Sequence, residues 1–587
     1  MKPARMWPLI AVLMACSGPN LRAQGPLVPP TGPTNTMRTL LQIEPRTPIA
    51  SLPYIISRPG SYYVESNLTA GVGNTGISIS TNDVTLDLMG FTLTGSTNSA
   101  NGVGVVGIRR NIVIRNGVIR GFGGGVDAAG ADNSRYEDLR IGPNRNDGLR
   151  IGQNAVVENC LVMENGGDGI DGYQGVVVRN CVVSSNTLNG ILVGPESTVT
   201  GCQTVDNVLA GIQAGAASTV ERCQVMRSGT SGVLIGRDCT VRGCTVQDSG
   251  QQGILATNHN NVIEQNHVAG GNVGLAVRGH GNVVTGNIVQ DNTDNYDFVA
   301  TNTLDLILTR IPEAIDWPAR VRLLGNLYGN NGLQINSDNV ILDLNGFSLI
   351  GRASGSPGIH VLTSAHNIQV RNGMLRNWVG SGLDAFDANN GVLENVSAYL
   401  NGEHGLAVGD GWTVQRCTAE ENGDNGITAG SGSVVSQCTA LNNSGSGFGL
   451  AHGCTVDACA ARDNHQNGFL VGGNAIVRNC TSSQNSSNGF QVFSLSLVEN
   501  NNATMNSDDG IRVTGERSRI EGNHVGQNDT GIRAGNTAIR NLFVRNSASA
   551  NLSADYAIST NNAIGQYIAA SVPETITNAN PWANFLY

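Results

Sequence analysis

Glycine recurs at positions 148, 169, 190, 211, 232, 253 and 274, at a constant step and always followed by Ile, Leu or Val. The same register returns at 405, 426, 447, 468, 489, 510 and 531, with Leu, Ile or Phe after each glycine. Other columns keep step: Cys160, Cys181, Cys202, Cys223 and Cys244 in the first array, and Cys417, Cys438, Cys459 and Cys480 in the second. Valines stand three places before the first set of cysteines, and asparagine recurs at 144, 165, 186 and 207 and again at 401, 422, 443, 464, 485 and 506. So short and regular a period means that each unit cannot bury an apolar face alone and must stack on its neighbours, which makes the chain a solenoid.

Apolar residues alternate inside one unit, as in Gly190-Ile191-Leu192-Val193, so the unit is built of short strands rather than helices. Three such strands, separated by turns rich in Gly, Asn, Asp and Ser, fill the interval between one column glycine and the next. The reading is all-β: a right-handed parallel β-helix in which each residue lies over its counterpart one coil earlier, about 4.8 Å away. Glycine in the column is expected at a turn with positive φ. Ile, Val and Cys are expected to fill the interior, and the asparagines to hydrogen-bond up their column. Stacked cysteines do not meet easily at disulfide geometry, so a reduced apolar column is expected, with Cys239 and Cys454 as free thiols at a turn.

"NDVTLDLMGFTLTG" at 82–95 matches "DNVILDLNGFSLIG" at 338–351, and "NIVIRNGVIRGF" at 111–122 matches "NIQVRNGMLRNW" at 367–378, both at an offset of 256. This duplication predicts two tandem β-helical domains, 45–304 and 305–565, with a C-terminal tail or cap at 566–587. Residues 1–23 read as an export signal, with Lys2 and Arg5 before a short apolar stretch and a cut after Ala23; a lipid-anchored alternative would cut before Cys16. A proline-rich linker follows at 24–44. The expected location is secreted, extracellular or periplasmic. The net charge of -10, without a basic run, gives no footprint for nucleic acid. No later segment is apolar enough to span a membrane.

The repeats, the "DVTLDLMGFTLTG" block and the ending "NPWANFLY" resemble the bacterial right-handed parallel β-helix repeat proteins, which share the pectin-lyase-like fold. That group includes polysaccharide lyases, glycoside hydrolases and uronate epimerases, besides proteins without known activity, so the resemblance implies a carbohydrate ligand without choosing a reaction. The polygalacturonase pattern is not met. Gly279-His280-Gly281 and Asp508-Asp509 occur in the wrong order and in different halves, and Asn-Thr-Asp and Arg-Ile-Lys are missing.

Lyases of this fold place acidic calcium ligands beside an Arg or Lys base, and two clusters resemble that arrangement. One is Asp147, Arg150, Asp168 and Asp171, a candidate binding site. The other is Arg512, Arg533, Asp508, Asp509 and Asp529, a candidate catalytic or uronate-gripping site. Close carboxylates suit calcium, the one cofactor suggested; Asp before Gly in a turn and Arg beside Asp on adjoining rungs are also ordinary structural choices. The expected function is binding of polysaccharide or surface glycans through flat faces, with a lyase or epimerase on acidic polysaccharide, or a structural stalk or adhesin segment, as alternatives. Histidines 404 and 465 fall on turns and build no metal site with Cys and carboxylate spacing.

Overall fold

The computed structural model describes residues 45–299, 302–352, 356–362, 365–569 and 580–587; the export signal, its two cleavage points and the linker lie outside them. Among the described residues all the regular structure is strand, and every pairing between strands is parallel. One coil shows the unit. Ile170–Gly172, Val177–Arg179 and Val182–Ser184 are short strands, each lying in register on its counterpart in the next coil. The first belongs to a twelve-stranded sheet, and the other two to a sheet of 44 strands. No helix long and apolar enough to cross a membrane occurs among the described residues.

Between the strands the backbone turns through left-handed residues, for this coil Gly175, Asn180 and Ser185. Asn and Asp tolerate that region best because their short polar side chains bond locally. The column glycines are not among these residues, which corrects the expectation of positive φ. Their reason is space: a Cβ on Gly190 would lie 2.6 Å from the Gly211 carbonyl oxygen and 2.7 Å from Asn207 Nδ2. Glycine therefore admits the next rung and its asparagine.

The asparagine column is hydrogen-bonded as its period predicts. Asn422, Asn443 and Asn464 each donate from Nδ2 to the Oδ1 of the next asparagine at 2.9 Å, and Asn485 donates to Asn506 at 2.8 Å. Buried amides need such partners, and a column supplies them repeatedly. Inside, Phe448, Phe469 and Phe490 stack with centroids 4.6 and 4.7 Å apart. The described cysteines are all free and buried. Cys239 and Cys454 are free and directly follow a turn, as expected, with their side chains buried, and burial pushes both thiols up from their ordinary range.

The duplicated blocks also acquire a reason. Asp87 accepts from the Met89 N–H, Arg115 and Asn116, and Asp343 accepts from the Asn345 N–H, Arg371 and Asn372. The "LDL" carboxylate thus pins the "RNG" segment one coil later. One twelve-stranded sheet ends at Asp294–Phe298 and the next begins at Glu313–Ile315, while the long sheet continues through Val283–Gln290, Thr303–Leu308 and Arg320–Leu323. At the far end, Asn584 of "NPWANFLY" accepts from Asn546 Nδ2 at 3.2 Å and its strand, Asn584–Leu586, pairs with Ser547–Ser549.

Candidate functional site

Stacking brings the first cluster together. Asp127, Arg150 and Asp171 are register partners on the outer side of the first twelve-stranded sheet, with Arg150 Nε 3.3 Å from Asp171 and its NH2 donating to the Tyr173 hydroxyl at 3.2 Å. Asp147 accepts the Asp168 N–H at 2.9 Å, and Asp168 accepts both the N–H and Nδ2 of Asn189 at 2.8 and 2.9 Å. Burial pushes the Asp168 carboxyl up. It does the same to Asp171, with the charges of Asp147 and Asp168 adding to it. The turn aspartates Asp147 and Asp168 are thus engaged by the scaffold.

The second cluster is assembled more tightly. Arg512 and Arg533 are register partners pointing outward, and the carboxylate beneath them is Asp509, only 2% exposed. Arg533 Nε donates to Asp509 Oδ1 at 2.6 Å, and Arg512 NH1 lies 3.6 Å from Oδ2. Asp508 accepts from Ser487 Oγ at 3.0 Å, and Asp529 from Ser553 Oγ at 2.6 Å. Burial raises the Asp509 carboxyl although Arg533 opposes it. Asp509 thus holds Arg533, one of the two arginines expected to grip a uronate, more closely than it holds Arg512. Nor do the aspartates of either cluster converge on a calcium position: among the described residues no three His, Cys, Asp or Glu side chains converge to hold a metal ion.

A cleft of about 500 Å³ lies elsewhere, on the opening strands of the second twelve-stranded sheet. Its floor is an outward row in register, Ala314, Gln334, His360 and Asp384. Glu313, Asn331 and Ser356 line it as well. His360 Nδ1 is 3.2 Å from Asp384 Oδ2, and Ser356 Oγ donates to Asn331 Oδ1 at 2.9 Å. Glu313 Oε2 accepts from Arg310 Nε and from Asn295 Nδ2, both at 3.3 Å; burial raises its carboxyl more than Arg310 lowers it. A second hollow of about 460 Å³ shares Pro312, Glu313 and Ala314 and continues to Asp294 and Trp317. Each is the size of an ordinary ligand pocket.

The glycine columns do not mark this cleft. Its signal in the sequence is a disturbed period: the coils that carry Gln334, His360 and Asp384 are each longer than the coils of the regular arrays. The turn that leads into Ile359–Val361 supplies Ser356 and Pro357 to the lining.

Among solved structures, the chain is similar to the Dettilon tailspike protein at 14% identity, over 44% of this chain and 62% of that one, with a TM-score of 0.37. It thus spans less than two thirds of that tailspike. It is also similar to a mannuronan C-5 epimerase A-module from Azotobacter vinelandii at 12% identity, over 61% and 88% of the two chains, with a TM-score of 0.27. For a pectate lyase the values are 13%, 43% and 68%, and 0.23. No curated protein sequence matches the chain. The family described as the right-handed β-helix region matches residues 55–218, 210–310, 320–460 and 449–566, and the chain belongs to that family.

Proposed function

We propose that this protein is an exported polysaccharide-binding β-helix and that the cleft over Gln334, His360 and Asp384 is its principal sugar site. The observation that carries the reading is the cleft itself, about 500 Å³ of open space on the outer side of a sheet. Its amide, imidazole, hydroxyl and carboxylate groups suit a hydroxyl-rich ligand, whose OH groups donate to carboxylates and accept from amides. Affinity electrophoresis in neutral polysaccharides tests it. The Gln334→Ala/His360→Ala variant is expected to bind about tenfold or more weakly while keeping its Tm, since two hydrogen bonds to a ligand are lost. Unchanged retardation across every glycan that retards the native protein would overturn it.

Glu313 favours a second reading, in which the cleft also processes what it holds. A carboxyl raised by burial keeps its proton at higher pH and suits a proton donor. Release of reducing ends or of unsaturated products from a bound polysaccharide, lost in Glu313→Gln, is the outcome this reading requires.

A further inference from the structure

The coils that carry the cleft turn a corner and enter the long sheet, where several outward arginines are paired with carboxylates on the adjoining rung. Arg115 lies 3.2 Å from Asp87, Arg179 2.8 Å from Glu158, Arg242 2.7 Å from Glu221 and Arg371 3.0 Å from Asp343. Between strands Arg320–Leu323 and Ile341–Asp343 this balance fails. A pocket of about 260 Å³ there is lined by Asp305, Arg320, Arg322, Asp343, Asn345 and Arg371. Arg320 is the register partner of Asp305 and Arg322 that of Asp343. Yet among the described residues neither Arg320 nor Arg322 has a hydrogen-bond or ion-pair partner, and both are exposed. Asp305 accepts instead from Thr285, and Asp343 from Arg371, Asn372 and the Asn345 N–H.

The internal duplication shows that the scaffold does not need these two arginines. Asp87 with Arg115 and Asn116 reproduces the Asp343 cluster in the first half, bond for bond. There the positions in register with Thr85 and Asp87, equivalent to Arg320 and Arg322, are Ser61 and Tyr63. The pinned carboxylate is therefore common to both halves, while the two arginines in register beside it belong to the second alone.

We infer that Arg320 and Arg322, flanked by Arg371, form an anion site that takes the carboxylate or sulfate group of an acidic polysaccharide. Two outward residues two apart on one strand stand about 7 Å apart, within reach of one anionic group by two long side chains. Guanidinium forks bind such groups through paired hydrogen bonds, and a half-open pocket screens them less than bulk water does. The inference rests on the polysaccharide reading above and adds the charge class of the chain that is bound.

The experiment titrates the native protein, Arg320→Gln/Arg322→Gln and Gln334→Ala/His360→Ala with oligogalacturonate, dextran sulfate, uncharged dextran and inorganic sulfate at low salt. The native protein is expected to prefer the two acidic glycans to dextran by about tenfold or more, and the arginine variant to lose that preference while keeping its Tm and its dextran affinity. Equal binding of acidic glycans by the native protein and the arginine variant would overturn the anion site while dextran binding left the polysaccharide reading standing. Inorganic sulfate matching dextran sulfate in affinity would reduce the site to one for small anions and sink the glycan assignment. If none of the polymers binds the native protein, both readings fall.

Discussion

Asn464 donates from Nδ2 to Asn485 Oδ1 at 2.9 Å, and its backbone N–H donates to the same oxygen at 3.0 Å. Each asparagine thus closes one coil onto the next twice, and its Nδ2 also reaches a carbonyl of the coil before, Ala440 in this case. Asn464→Ala leaves the Asn443 N–H without its acceptor and takes from the Asn443 amide one of its two, the Ala419 carbonyl remaining. A loss of about 1 to 3 kcal/mol is expected, because a buried polar group without a partner costs that much. Thermal or urea unfolding checks it; an unchanged midpoint would show that water meets these groups.

Gly190→Ala is expected to destabilise by about 1 to 3 kcal/mol through overpacking, because its Cβ would meet the Gly211 carbonyl and the Asn207 amide. Gly432 provides the contrast. Its φ is +70° and a Cβ there meets nothing within 4 Å, so Gly432→Asn, a residue that tolerates the left-handed region, is expected to be far milder. Comparing the two unfolding midpoints separates space from backbone conformation.

Asp509 predicts a pH dependence. Burial raises its folded carboxyl above the unfolded value of about 3.9. Its contribution is therefore fully present below that value and is lost as pH rises through the raised folded one. Asp509→Asn removes the titration and continues the amide column of Asn467 and Asn488. The stability of the variant relative to the native protein is expected to increase between about pH 4 and pH 7, read from Tm at each pH. A constant difference would mean that Arg533 fully compensates the burial.

Removing residues 580–587 takes away the last rung of an asparagine column, since Asn584 accepts the Asn546 N–H and side chain. It also uncovers the edge of strand Ser547–Ser549, and an unpaired parallel edge invites association. A lower Tm, by the cost of one or more orphaned groups at about 1 to 3 kcal/mol each, and concentration-dependent light scattering are expected.

The cysteine columns are expected to resist thiol reagents while the protein is folded. Cys160 through Cys244 and Cys417 through Cys480 are 2% exposed or less, and reaction requires an accessible thiolate. Native protein treated with a chromogenic disulfide should leave them unmodified, and denaturant should release all of them.

The coil was legible because one constraint repeats at every rung. A residue one period along must fit the same environment, so glycine, valine, cysteine and asparagine columns declare the strands, the interior and the ladder in the sequence itself. Periodicity also placed Arg150 over Asp171 and Arg512 over Arg533, as their register pairing shows. What each column atom does was decided by tertiary contact. Gly190 is required by a neighbouring carbonyl and not by its own φ, and Asp509 is buried beneath Arg512 and Arg533 rather than beside them. The cleft over Gln334, His360 and Asp384 and the unpaired Arg320 and Arg322 lie where coil length departs from the period or where one half differs from the other. A repeat encodes what is the same in each coil; a concave site or a surplus charge arises from what differs, and its shape exists only once the uneven coils are stacked.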